Sequence, residues 1–405
     1  MHMKIIGHVD RCDNQYIEGW LFCPEQPDAE FALQIFAGTD VIGEVRADIH
    51  RPDLEAAGYG NGRCAFSWVV PEFLPPNAIQ NIRLRLIGSD VYMVPPATFA
   101  PAEQKDAFSS RFGGLWIDRA NWIDTLAEKH RRGQIDDDMA GQLFRFVRDG
   151  FLVIPNAVPP RMIAALNDEI DRFWNRPPEG MLIETFEPDD VMKYIAPDMR
   201  MRDGRTKLLD IFAHSEVARR VTAAMAPMKF LSTLFDETPK VIQQLAFWKG
   251  TQQPKAKDSA YVKIDSNPLA MAVSWLALED ITPGTGEAEY FVGSHRAPDF
   301  LFGGVSKWAE TFGEDHPRFL ASIEEDAVKY GHRRASFLAR AGDMLIFHAD
   351  LAHGSARITR PNATRRSLVT HFTPNSEQPF YRRFSNHTEL KMPTCVFVSQ
   401  YGPVK

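Results

Sequence analysis

The sequence predicts a mainly β protein: a small all-β sandwich followed by a jelly roll flanked by helices. Three observations carry that expectation. The first 95 residues break into short β runs between turn signals, a helical stretch follows, and from Val241 onward β runs dominate again.

In chain order, runs at 16–21, 31–37, 41–45, 64–70 and 82–87 are separated by Pro, Gly, Asn and Asp clusters, the close spacing of a sandwich. Residues 94–111 are rich in Pro, Ala and Ser and read as a linker. Trp122, Leu126 and His130, then Ala140, Leu143, Phe144 and Val147, recur at helical spacing. Acidic residues 136–138 precede the second run, where negative charge suits a helix N-terminus. Asp149-Gly150-Phe151 leads a β run ended by Pro155. Pro159-Pro160 then opens a helix whose Met162, Ile163, Leu166, Ile170, Phe173 and Trp174 form one apolar stripe, expected to be core. Later β runs fall at 241–247, 270–278, 287–292, 344–347 and 367–372. The expected domains are a β-sandwich accessory domain at 1–97, a linker and helical segment at 98–138, and the jelly roll at 139–405.

Composition narrows the function. A chain of 405 residues with 44% hydrophobic and 24% charged residues is ordinary globular material for two domains. A net charge of -7 argues against a nucleic-acid partner, which needs a basic surface. No run of 18 apolar residues is free of charge, so no membrane span is expected. The first residues lack a basic head and apolar stretch, so no secretory leader is expected either. Four cysteines without metal-ligand spacing read as buried free thiols, and a cytoplasmic location is the default. There is no Gly-x-Ser-x-Gly elbow, Walker loop or Rossmann fingerprint in a fitting context, and no cysteine beside a histidine-bearing motif. Gly284-Thr285-Gly286 is turn chemistry.

Four strings stand in order: Gln252-Gln253-Pro254-Lys255-Ala256-Lys257-Asp258 before a strand with Trp275, then Gly293-Ser294-His295-Arg296. Next come Gly342 to His348-Ala349-Asp350-Leu351-Ala352-His353-Gly354-Ser355, and Thr364-Arg365-Arg366-Ser367-Leu368. Together with Asp149-Gly150-Phe151 they resemble the phytanoyl-CoA dioxygenase family over roughly residues 140–375. The resemblance implies a cupin-like double-stranded β-helix with an iron site in its mouth. It further implies a dioxygenase that uses Fe(II), 2-oxoglutarate and O2 to hydroxylate a C–H bond, releasing succinate and CO2. Such chemistry asks for two imidazoles and one carboxylate on one face of the metal, and for a cation to seat the distal carboxylate of 2-oxoglutarate.

Carried over residue by residue, the resemblance makes Asp258 and His353 metal ligands and Arg365 the co-substrate clamp, with Arg366 as the fallback one register away. Ser355, Trp275, Lys257 and Lys207 fall where side chains flank 2-oxoglutarate. Position 256, where the family has its first metal histidine, is Ala256, and alanine binds no metal. Three readings stay open: an engineered His→Ala replacement, a natural silent protein that keeps the pocket, or a substitute ligand from elsewhere. Halogenase logic does not fit, because it removes the carboxylate and Asp258 remains. The literal His348-Ala349-Asp350 is a rival pair, but His348 and His353 are five apart and face opposite sides of a regular strand. His348 therefore reads as structural, His295 as part of a turn, and His371 as a core or pocket-wall residue. His214 and His332 have no evident partner.

In the first domain, Gly7-His8-Val9-Asp10-Arg11, Gly19-Trp20, Ile42-Gly43 and Arg51-Pro52-Asp53-Leu54 resemble a β-sandwich module attached to bacterial surface-polysaccharide enzymes. That resemblance implies either a packing, dimerisation or partner-enzyme surface or a glycan-binding one. Two functions follow as expectations. One is an oxygenase acting on a small molecule or a sugar, as in polysaccharide biosynthesis. The other is a catalytically silent jelly-roll protein that binds a glycan or partner enzyme. Segments 180–205 and 297–335 are the expected substrate lids, and the tail at 382–405 an added strand or oligomer contact.

Overall fold

The computed structural model of the chain describes residues 5–12, 16–37, 40–70, 82–89, 91–93, 108–186, 192–309, 313–384, 389–402 and 404. It divides into two units, residues 1–107 and 108–405.

The first unit holds β1 (Ile6–Cys12), β2 (Tyr16–Phe22), β3 (Phe31–Ala37), β4 (Asp40–Ala47), β5 (Ile49–His50), α1 (Pro52–Ala56), β6 (Arg63–Val69), β7 (Ile82–Leu86) and β8 (Tyr92–Met93). They form two antiparallel four-stranded sheets, ordered β1-β2-β6-β5 and β4-β3-β7-β8. Alternate residues of both sheets, among them Val9, Ile17, Leu21, Leu33, Ile35, Phe66 and Leu84, share one buried cluster, as in a sandwich. Gly43 is required there, since a Cβ on it would stand 2.5 Å from the Trp68 ring. All four cysteines are buried, and none is joined in a disulfide.

The second unit opens with α2 (Trp122–Arg131), α3 (Asp137–Asp149), β9 (Phe151–Ile154) and α4 (Pro160–Asn175). Asp136 caps α3, its carboxylate accepting from the Met139 amide at 2.8 Å, and Gly150 ends the helix at φ 83°. Leu115, Ile117, Leu126 and Ile135 join the same buried cluster as α3 and α4. These residues of the expected linker and helical segment thus pack into the core of the second unit. Residues 94–107 of that expected linker lie outside the described residues. The α4 stripe is buried as expected, each large side chain contributing about 1.5–3 kcal/mol over exposure.

The rest is a jelly roll. β10 (Ile183–Phe186), β11 (Met192–Ile195), β12 (Lys207–Leu209), α5 (Glu216–Thr222), α6 (Met225–Phe235) and β13 (Pro239–Phe247) come first. They are followed by β14 (Ala272–Ala277), β15 (Ala288–Phe291), α7 (Asp315–Lys329), β16 (Arg334–Phe337) and β17 (Met344–His348). The last strands are β18 (His353–Ser355), β19 (Ser367–Pro374), β20 (Leu390–Lys391) and β21 (Val396–Phe397). The large sheet runs β11-β10-β12-β13-β19-β14-β17-β9, with β21 alongside β13, and the small sheet runs β16-β15-β18.

Alternation sorts the large sheet's side chains between two layers. Ala272, Leu276, Met344, Ile346, Leu368 and Phe372 face the helices with Phe146, Leu166 and Phe230. Val273, Trp275, Ala277, Leu345 and Phe347 face Ala288, Tyr290 and Phe337 of the small sheet. Cross-strand partners share a face, so the pairings Ala277↔Ser367, Trp275↔Val369 and Val273↔His371 put Ser367, Val369 and His371 on the inner side. The pairings Phe247↔Ser367 and Lys207↔Phe247 add Phe247 and Lys207 to that interior.

Candidate functional site

Ala256 and His353 stand directly opposite one another. The Ala256 amide donates to the His353 carbonyl at 2.8 Å, and the His353 amide to the Ala256 carbonyl at 2.9 Å. In such a hydrogen-bonded pair the two side chains are neighbours on one face. Lys257 is extended, with φ -115° and ψ 129°, so Asp258 projects to the same side as Ala256 and Lys257 to the other. Asp258 Oδ2 lies 3.7 Å from His353 Nε2 and 3.4 Å from His371 Nε2.

The proton on His353 follows from its other neighbour. Nδ1 lies 2.9 Å from the Leu351 carbonyl, which can only accept, so Nδ1 carries a hydrogen and Nε2 is the nitrogen turned towards Asp258. A backbone carbonyl holding the far nitrogen is the arrangement that orients a metal-ligating histidine. The Phe347 ring, 4.5 Å away, packs against this imidazole. Despite its 3.4 Å approach to Asp258, His371 makes no aligned hydrogen bond. Both its ring nitrogens, and Asp258 Oδ2, are buried without a hydrogen-bond partner among the described residues. Burial pushes the Asp258 carboxyl up, but His353, His371 and the more distant Lys207 outweigh it and hold the carboxyl below its ordinary value.

Two residues before β19, Arg365 is buried inside the barrel. Its guanidinium sits over the Trp275 ring at 5.3 Å and the Phe247 ring at 5.4 Å, and Nη1 donates to Ser367 Oγ at 2.6 Å. Nε is buried without a partner, and no carboxylate among the described residues forms an ion pair with the group. Burial pushes its pKa down to about 10, against the pull of Glu279 and Glu287. Arg366 points the other way, 3.0 Å from Asp171 of α4 and stacked over Trp248 at 4.4 Å. Ser367 and His371 are separated by four residues of strand, roughly 13 Å at about 3.3 Å per residue.

The remaining expected residues divide. Ser355, two residues after His353 on β18, donates to the Gly286 carbonyl at 2.9 Å. Lys207 faces the interior and pairs with Glu184 at 2.7 Å. Lys257 does not join them. Its ammonium is buried 3.8 Å from Asp350, in a cluster where Lys307 bonds Asp350 and Asp299, each at 2.5 Å. As the middle residue of an extended triplet it must point away from Asp258, so a place beside a co-substrate is corrected to a structural one. His348 is buried against Asp118 at 3.2 Å, its Nδ1 accepting from the Asp350 amide at 3.0 Å, and so holds no part of the Asp258 group. His295 Nε2 bonds the Val147 carbonyl at 2.9 Å, a turn-fixing role.

His371 is the residue whose place the sequence understated. Its signal was present, since 365, 367, 369 and 371 share one strand face, but alternation alone does not say what lies across the barrel. Among the described residues, no three His, Cys, Asp or Glu side chains are already gathered to hold a metal ion. The donors thus fit a metal in part: Asp258 and an oriented His353 are in place, and the methyl of Ala256 stands where a second imidazole would reach them.

A family model described as phytanoyl-CoA dioxygenase (PhyH) matches residues 146–367. No curated protein matches the chain. Among solved structures, the epimerase SnoN in complex with Fe3+, alpha ketoglutarate and nogalamycin RO is 18% identical, covering 60% of this chain and 86% of its own at a TM-score of 0.46. The non-heme alpha ketoglutarate dependent carbocyclase SnoK from nogalamycin biosynthesis is 14% identical, with coverages of 66% and 98% and a TM-score of 0.48. EctD from S. alaskensis with bound Fe is 18% identical, with coverages of 60% and 79% and a TM-score of 0.43.

Proposed function

The chain belongs to the phytanoyl-CoA dioxygenase family of non-haem Fe(II)- and 2-oxoglutarate-dependent enzymes, and from that premise we propose that its jelly roll hydroxylates a C–H bond of a small molecule or sugar. Arg365 carries this reading. A buried guanidinium with an unpartnered Nε and no ion pair among the described residues is costly unless an anion is meant to arrive. The distal carboxylate of 2-oxoglutarate meets that need through two charge-assisted hydrogen bonds, with Trp275 and Phe247 as the walls that keep water out.

At the other end, Asp258 and His353 would hold the metal, the Leu351 carbonyl keeping His353 Nε2 turned inward. When bound, iron with 2-oxoglutarate and O2 supplies the oxidising power, one oxygen atom going to the substrate and the other to succinate as CO2 leaves. Lys207, fixed by Glu184 on the inner face, adds positive charge near Asp258 and stays in this proposal as a flanking residue. Ser355 keeps its lone pairs free to accept after donating to Gly286. A restored histidine at 256 would project beside His353. With alanine there, Asp258 and His353 fill two of the family's three ligand positions, and turnover by the chain as given is impaired unless another side chain supplies the third.

The substrate class rests on the first unit, whose likeness to modules of polysaccharide enzymes is an association and not a mechanism. A second reading, a silent binding protein, draws its support from Ala256 alone, and the oriented His353 and unpaired Arg365 count against it. The test is anaerobic 2-oxoglutarate binding to the parent and to Ala256→His, followed by succinate release with O2. Binding of 2-oxoglutarate with succinate release from Ala256→His supports the oxygenase; binding by neither protein defeats it.

A further inference from the structure

Resting on that reading of the barrel as an iron site, we infer that His371 serves as its third ligand, taking the role that Ala256 cannot. One carboxylate oxygen, Asp258 Oδ2, approaches two imidazole nitrogens, His353 Nε2 at 3.7 Å and His371 Nε2 at 3.4 Å. Two imidazoles and one carboxylate are the donor set that non-haem Fe(II) prefers, with positions left open for other ligands. Of twelve histidines in the chain, His371 combines inner-face placement, 2% exposure and two ring nitrogens with no hydrogen-bond partner among the described residues. An imidazole buried in that state is explained by a cation that it can bind, and Asp258 Oδ2 is orphaned at the same spot.

The backbone supports the assignment. β19 is an interior strand of the large sheet, paired on both sides, with His371 opposite Gln243 of β13 and Val273 of β14. A ligand there is held more firmly than one on a loop. The three donors are not yet gathered around one point. An ion bound at about 2.1 Å to each would set neighbouring donors about 3 Å apart, so side-chain rotations must close the two gaps by roughly half an ångström. His353 and His371 approach from different strands, β18 and β19.

The experiment is anaerobic titration of the full-length chain with Co(II), read by calorimetry and by the paramagnetically displaced imidazole protons in its NMR spectrum. One Co(II) per chain is expected, with displaced protons from two histidines. His371→Gln keeps a polar side chain beside Asp258 but is a poor ligand, and should weaken binding at least tenfold and leave one histidine's signals. His371→Ala should behave alike, and Ala256→His with His371→Gln should regain two. Equal affinity in parent and His371→Gln overturns the inference. So does a parent that binds nothing beside an Ala256→His protein that binds regardless of His371, although the oxygenase reading then survives. Should Ala256→His bind neither Co(II) nor 2-oxoglutarate, both fall together.

Discussion

Replacing Arg365 with methionine should raise or preserve the stability of the ligand-free protein while abolishing useful affinity for 2-oxoglutarate. Both signs come from the geometry. Burial pushes the guanidinium from its ordinary value down to about 10, a displacement that corresponds to roughly 3 kcal/mol against the charged group in the folded chain. Opposing it are two cation–π contacts, about 0.5–1 kcal/mol each, and the bond to Ser367, about 1 kcal/mol. The net is near zero to about 1 kcal/mol in favour of methionine, whose flexible chain fills the same space. For the ligand, losing two charge-assisted bonds to a carboxylate costs about 3 kcal/mol, on the order of a hundredfold in Kd. Urea denaturation of ligand-free protein gives the first quantity and calorimetric titration with 2-oxoglutarate the second. A variant that loses more than about 2 kcal/mol of stability yet binds 2-oxoglutarate normally would show Arg365 to be a structural residue and refute the reasoning.

Three further outcomes follow from the same geometry. Ala256→His should give 2-oxoglutarate-dependent succinate release, measured by chromatography, because its side chain projects beside His353. Asp350→Asn should cost about 3–5 kcal/mol at pH 7 by urea denaturation, because it leaves the buried Lys307 and Lys257 without their shared carboxylate. Burial raises the Asp350 pKa, but the two lysines and His348 outweigh it and hold it well below the usual range. Its contribution is therefore complete above about pH 4 and lost as pH falls through the folded value, so parent and variant should converge in acid. Finally, Gly43→Val should destabilise the first unit by about 1–3 kcal/mol in thermal unfolding, since its side chain would meet the Trp68 ring.

Much of the site was legible because it obeys local geometry. An extended triplet puts 256 and 258 on one side, and the strand parity of β19 separates Arg365 from Arg366 without coordinates. The same parity rule, applied to Lys257, would have turned it away from Asp258; the resemblance masked it. What pairing distance hides was not legible. Segment 180–205 looks irregular in sequence, yet β10 and β11 lie in it and extend the large sheet through β12, bringing Glu184 to Lys207. His371 was visible as an inward residue, while its approach to Asp258 depends on how a 3-10 turn over a hundred residues away in sequence packs against β19. The helix at 122–131 was legible in the spacing of Trp122, Leu126 and His130, whereas the core it joins with α3 and α4 depends on tertiary packing.

The most direct test of the account is an anaerobic crystal structure of the chain with Mn(II) and 2-oxoglutarate. The account predicts one 2-oxoglutarate inside the barrel, its distal carboxylate on Arg365 Nε and Nη and its other end towards a metal held by Asp258 and His353. A 2-oxoglutarate bound elsewhere, or an Arg365 guanidinium satisfied by the protein itself, would contradict it.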